Sequence, residues 1–242
     1  MSSSDLLQAS PSLEGASSAQ ILRWAARQFP ARLTFATGFG VEGCLLIDFI
    51  FRLELRVDVF TLDTGLLFPE TYELWRKLEQ RYGIQIRAVR PALSVQAQEE
   101  THGRKLWETN PDRCCEIRKV APLRSALAGF DAWISAIRRD QTSERARARV
   151  VEQDPRFGLI KINPLLSWTS ADVWAYVRSQ GVPYSPLHDR GFPSIGCAPC
   201  TTPVLPGEDP RAGRWRGRIK TECGLHTRSS VDKESLPLPS KG

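Results

Sequence analysis

Leu33-Thr34-Phe35-Ala36-Thr37-Gly38-Phe39-Gly40-Val41 decides the fold. Its first four residues read as a short buried strand, Thr37 to Gly40 as a glycine-bearing loop, and Val41 to Phe51 as an apolar helix. A strand that passes through such a loop into a helix N-terminus turns backbone N–H groups toward an anion. The loop lacks the G-K-[ST] ending of a Walker loop, so on its own it suits a structural turn equally well.

Outward from this unit the pattern repeats. Upstream, Ala19 to Phe29 has the apolar spacing of a surface helix. Downstream, Val57 to Leu62 is a second strand running into Asp63-Thr64-Gly65, and Pro69 opens a helix through Tyr82 that Gly83 closes. Ile84–Val89, Ala132–Ile137 and Leu159–Leu166 are further strands, and Ala171 to Gln180 a further helix. Strands alternating with helices predict an α/β fold with a doubly wound, mostly parallel sheet. Such sheets bind ligands at the carboxyl ends of their strands. Thr37, Gly38, Asp63, Thr64 and Gly65 all fall there and are expected to line one pocket. The fourth strand delivers Arg138 to the same edge and Arg145 follows, an arrangement that favours anion contact over a solvated loop.

With 242 residues the chain is long enough for one full core. We expect that domain over 17–202, a flexible arm over 1–16, a mobile segment over 203–226 and a disordered end over 227–242. A formal charge of +6 favours anionic partners without choosing among them. The most apolar run, Val41 to Phe51, is too short for a membrane span and is interrupted by Glu42 and Asp48. Residues 1–16 lack the basic start and apolar stretch of a signal peptide, so a cytoplasmic protein with reduced thiols is expected.

Four of the six cysteines form two compact pairs, Cys114-Cys115 and Cys197-Ala198-Pro199-Cys200. Both lie in polar, turn-rich sequence where buried, inert thiols are unexpected, whereas Cys44 sits in an apolar run and reads as a small hydrophobe. Four soft ligands in two pairs suit either a tetrahedral zinc or an iron–sulfur cluster. Side chains of adjacent cysteines project differently, which favours a larger cube over one zinc. Asn110-Pro111-Asp112 is expected to start a helix that places Cys114 and Cys115 in its first turn. His188, in an irregular loop, is expected to be structural and not a ligand.

After Cys200 the sequence becomes poor in apolar residues and rich in Gly, Pro and Arg, then ends in Glu222-Cys223-Gly224-Leu225-His226. Cys223 has no packing reason to be a cysteine there. A thiol among Arg211, Arg214, Arg216, Arg218 and Lys220 is a candidate nucleophile, weighed against a casual tail cysteine.

These segments resemble one family. Cys114-Cys115, Gly196-Cys197-x-x-Cys200 and Glu222-Cys223-Gly224-Leu225-His226, with Leu62-Asp63-Thr64-Gly65, Pro69-Glu70-Thr71, Ile137-Arg138-Arg139-Asp140-Gln141 and Gly213-Arg214-Trp215, are similar to the iron–sulfur branch of the assimilatory adenylyl-sulfate (APS/PAPS) reductases. The similarity covers about residues 30–226. It implies an oxidoreductase acting on a sulfur group, with a 4Fe–4S cluster on Cys114, Cys115, Cys197 and Cys200 and Cys223 as nucleophile. It also implies adenosine 5'-phosphosulfate as substrate and thioredoxin or a similar dithiol as reductant, with neither nucleic acid nor membrane as partner; a homo-oligomer is compatible with it. Lys119, Arg138, Arg145, Arg211 and Arg214 are the side chains expected to neutralise the phosphosulfate. Alternatives are the same reaction on the 3'-phosphorylated donor, a tRNA-thiolating relative, and a zinc-stabilised nucleic-acid module. The Thr37–Gly43 loop departs from the Ser-Gly-Gly-x-Asp-Ser form of related ATP pyrophosphatases, which fits an enzyme that does not hydrolyse ATP.

Overall fold

Leu33–Thr37 (β1) lies inside a six-stranded sheet with Asp58–Leu62 (β2), Arg87–Val89 (β3), Ala132–Ile134 (β4), Val151–Asp154 (β5) and Leu159–Ile162 (β6), in the order β3-β2-β1-β4-β6-β5. The computed structural model describes Leu7, residues 10–220 and residues 222–225; most of the expected arm before Ser10, His226 and the expected disordered end lie outside them. All pairings are parallel except β5 with β6, which is antiparallel. The order reverses direction at β1, which has β2 on one side and β4 on the other, and opens a crevice beyond the strand ends.

Alternation along the strands builds two cores. Val59, Ile134, Ile160 and Ile162 face one cluster, while Phe60, Trp133 and Leu159 face another. The first is covered by helices Ser18–Gln28, Val41–Arg52, Pro69–Tyr82 and Ser170–Ser179. The second is covered by Leu123, Ala126 and Leu127 of helix Ala121–Leu127. The helices begin where the sequence supplies caps: Ser17 with Gln20 and Thr169 with Asp172 form capping boxes, and Pro69 stands at the first turn of its helix.

Asp48 ties the helices of the first face together. Its carboxylate is fully buried and accepts from Tyr82 Oη (2.9 Å), Tyr176 Oη (2.7 Å) and Arg52 Nε (2.8 Å). Asp48→Ala strands the buried Tyr82 hydroxyl and the part-buried Tyr176 hydroxyl, a loss of about 3 kcal/mol. Thermal unfolding should then move down by roughly 10 °C, whereas Tyr176→Phe should cost about a third as much.

Three expectations are corrected. β5 was not foreseen, because Val-Glu-Gln-Asp carries no apolar alternation; as an edge strand it needs little, and Glu152 is used to pair with Lys161. The run expected as strand to Leu166 ends at Ile162, and Leu165 and Leu166 bury themselves from a loop. The arm is docked from Ser10 onward: Ser10–Leu13 is helical, the Val151 N–H donates to Ser10 Oγ (3.3 Å), and Glu14 pairs with Arg139. No helix among the described residues is long and apolar enough to cross a membrane.

Candidate active site and cysteine cluster

Helix Pro111–Cys115 starts as expected, with Asn110 accepting from the Arg113 N–H (3.0 Å). It continues through a π-turn, Glu116–Val120, into Ala121–Leu127. The wide turn answers to Pro122, which has no N–H and would crowd the Arg118 carbonyl in a regular helix. Through this turn Arg118 is buried, donating to Thr64 O (2.5 Å), Gln98 Oε1 (3.1 Å) and Leu93 O (3.3 Å).

The second cysteine pair sits on a tight loop. Ala198 N–H donates to Leu66 O (2.7 Å), Cys200 N–H to Cys197 O (3.0 Å), and Thr201 Oγ1 also to Cys197 O (2.9 Å). Glycine at position 196 leaves room for the Arg214 guanidinium, which a Cβ there would push aside. Cys114, Cys115, Cys197 and Cys200 line a single cavity, together with Leu66, Trp107, Arg118, Lys119 and Trp215. Thr64 Oγ1 lies 3.3 Å from Cys197 Sγ, and Gln98 Nε2 donates to Cys114 Sγ (3.8 Å). Burial pushes the thiols of Cys114, Cys115 and Cys200 above the usual range, Cys115 to about 11. Among the described residues no three His, Cys, Asp or Glu are grouped to hold a single metal ion. The four cysteines line one cavity, and a donor set of four sulfurs with hydroxyl and amide neighbours fits a thiolate-ligated cluster.

In the segment expected to be mobile over 203–226, Gly213, Trp215 and Glu222 are buried while Leu205 and Ile219 are exposed. Thr201 and Arg214 form an antiparallel bridge, Trp215 N–H donates to Cys200 O (3.0 Å), and the Trp215 ring is 3% exposed. The Arg214 guanidinium stacks on Trp215, 4.5 Å from the ring centroid, and donates to Ile195 O (3.4 Å). Cys223 is partly exposed beside this wall. Burial opposes the charge of Lys119, yet Cys197 and Cys223 lie close enough to push its ammonium above the ordinary lysine range. Cys223 also acts electrostatically on Cys115 and Arg211.

The expected pocket residues divide. Thr37 Oγ1 accepts from the Phe39 N–H (3.1 Å), Phe39 holds a positive φ of 57°, and the space beside Gly38 is open. Asp63 is saturated by Tyr72 Oη (2.6 Å), Arg90 Nε (3.0 Å) and the Gly65 N–H (3.2 Å); against the effect of burial these donors hold it below the usual carboxylate range. Lys119 lines the cysteine cavity and lies near Cys223, and Arg214 lies near Lys119 and Cys200. Arg138 pairs with Glu42 and Asp140, Arg145 with Glu222, and Arg211 also with Glu222 (3.3 Å). Arg118, Gln98, Arg90 and Glu222 were not anticipated, for their partners are distant in sequence, and neither was Tyr72, which belongs to no motif. His188 packs edge-on against Trp174 (5.3 Å between centroids) and does not line the cavity. Cys44 is fully buried in the main core, with its thiol pushed far up by burial.

The pattern of the phosphoadenosine phosphosulfate reductase domain matches residues 32–203. The chain is 47% identical over 207 residues to adenosine 5'-phosphosulfate reductase 1 of Bacillus subtilis, covering 85% of this chain and 89% of that protein. It is 46% identical over 215 residues to the adenosine 5'-phosphosulfate reductase of Halalkalibacterium halodurans, covering 88% and 93%. In structure it is similar to phosphoadenylyl-sulfate reductase from Candida auris, with TM-score 0.74, 33% identity, and 84% of this chain and 98% of that chain covered. Candida glabrata FMN adenylyltransferase, at TM-score 0.54 and 15% identity over 84% of this chain and 67% of that one, shares the fold alone. The chain belongs to the phosphosulfate (APS/PAPS) reductase family.

Proposed function

We propose that this protein reduces adenosine 5'-phosphosulfate to sulfite and AMP, with Cys223 as the nucleophile and a dithiol protein of the thioredoxin type as reductant. The observation that carries the proposal is the placement of Cys223 beside Lys119 and Arg211, next to the cavity lined by four other cysteines. The names of the relatives support the choice of donor.

The Cys223 thiolate attacks the sulfur of the sulfonate group. The bond between that sulfur and the bridging oxygen breaks, its electron pair leaves with AMP, and S-sulfocysteine remains at position 223. A reductant thiolate then attacks Cys223 Sγ and expels sulfite with the bonding pair. The second reductant thiol resolves the mixed disulfide and restores Cys223, so the dithiol supplies both electrons. Attack by one anion on another is opposed by charge, and Lys119 and Arg214 are the cations best placed to offset it. Thr37 and Gly38 offer the loop at the strand reversal where the nucleotide would lie. Cys114, Cys115, Cys197 and Cys200 would hold a 4Fe–4S cluster, which when bound would supply fixed charge and rigidity to this wall of the site.

Steady-state turnover with a thioredoxin separates the donors. Adenosine 5'-phosphosulfate should be preferred in kcat/KM by at least about tenfold, roughly 1.4 kcal/mol, over the 3'-phosphorylated donor. A preference of that size in the other direction would overturn the choice of substrate.

A further inference from the structure

Glu222 immediately precedes the nucleophile, is 6% exposed, and is held on both oxygens. Arg145 donates through Nε to Oε1 (2.8 Å) and through Nη2 to Oε2 (2.9 Å), a fork-to-fork pair, and Arg211 Nη2 adds a contact at 3.3 Å. Arg145 is itself 8% exposed and is steadied by Gln141, whose amide donates to Glu42 Oε1 (3.0 Å) at the start of the helix after β1. Two residues past Cys223 the chain is fixed a second time. Leu225 packs on the core cluster that holds Trp133 and Leu159. Gly224 makes the turn between the anchors with φ +85°, where a Cβ would press to 3.3 Å from Arg156 Nη1.

We propose that Glu222 is a positioning residue: its pair with Arg145, shared with Arg211, docks the arm and sets Cys223 over the site, with Leu225 as the apolar counter-anchor. The inference rests on Cys223 being the nucleophile. A carboxylate this buried is tolerated only when paired, so the arm's placement and the ion pair stand or fall together. Two consequences follow for the arginines. While the arm is docked, Arg145 and the nearer face of Arg211 answer Glu222, and the positive charge left to face the sulfonate is that of Lys119 and Arg214. Release of the arm to meet a protein reductant separates the pair and exposes Arg145 and Glu222 to water, where both are well solvated, so docking is reversible.

Glu222→Gln keeps the shape and removes the charge. In substrate-free holoprotein, alkylation of Cys223 by iodoacetamide, followed by mass spectrometry, should speed by about fivefold as the arm undocks. Formation of the Cys223 sulfo-adduct from adenosine 5'-phosphosulfate without reductant should slow by about tenfold at saturation, with the half-saturating concentration changed by less than about twofold. Arg145→Gln should behave alike, the double variant should be no worse than either single one, and Glu222→Asp should recover much of the protection. Unchanged alkylation in both single variants would overturn the proposal. So would a large rise in half-saturation for Arg145→Gln alone, which would make Arg145 a substrate ligand. If the unaltered protein forms no adduct, the nucleophile assignment fails, and the alkylation rates still decide whether Glu222 docks the arm.

Discussion

Cys223→Ser should lower turnover by at least about a thousandfold, some 4 kcal/mol in the barrier, because a serine hydroxyl is not ionised at neutral pH and has no base to activate it. The substitution removes one partly exposed sulfur and leaves the docking contacts of Glu222 and Leu225 in place. Thermal stability should therefore stay within about 0.5 kcal/mol of the parent. Iron content and visible absorption should not change either, since Cys223 does not line the cavity shared by the other cysteines. Steady-state release of AMP and sulfite, measured beside iron content, checks both halves of the expectation. Residual activity above about a tenth of the parent would mean that another thiol does the chemistry.

Cys197→Ser should be nearly as damaging for a different reason. Cys197 lies against Thr64 Oγ1 and, with Arg118 donating to the Thr64 carbonyl, joins the C-x-x-C loop to the end of β2. Under the proposed assignment its loss removes a cluster ligand, and metal sites lose affinity steeply when one soft donor is replaced by a hard one. Iron and acid-labile sulfide should fall to less than about a fifth of the parent, and activity by about a hundredfold or more. Chemical analysis of the purified protein gives the first number and turnover the second. A protein that keeps full iron with Cys197 replaced would move the cluster to other ligands. Stoichiometric zinc in the colourless parent would replace it altogether.

How much of this was legible in the chain depends on how local each signal is. The strand, loop and helix from Leu33 to Arg52 carry their apolar pattern within a few residues, and the helix from Pro69 to Gly83 carries its own start and stop, so both were readable. The cysteine pairs were visible as chemistry because adjacent thiols in polar sequence have no packing use. β5 was not, for an edge strand of Val-Glu-Gln-Asp needs only its neighbour's backbone. The packing of Pro203–Arg218 was also hidden. It is held by backbone bonds to Cys200 and Thr202 and by one buried tryptophan, and composition counts neither. Charge was only half legible. Arg138, Arg145 and Arg211 could be read as cations, but not their carboxylates: Glu42 reaches Arg138 and Glu222 reaches Arg145 from far along the chain, while Asp140 and Glu222 pair with Arg138 and Arg211 from nearer by.

The central claim is that sulfur passes from the nucleotide to one cysteine before any reductant is needed. Intact-protein and peptide mass spectrometry after incubation with adenosine 5'-phosphosulfate alone tests it most directly. We predict an added mass of about 80 Da, that of an SO3 group, on the peptide bearing Cys223, released as sulfite when reduced thioredoxin is added. An unmodified Cys223, or the same adduct on a different cysteine, would contradict the account.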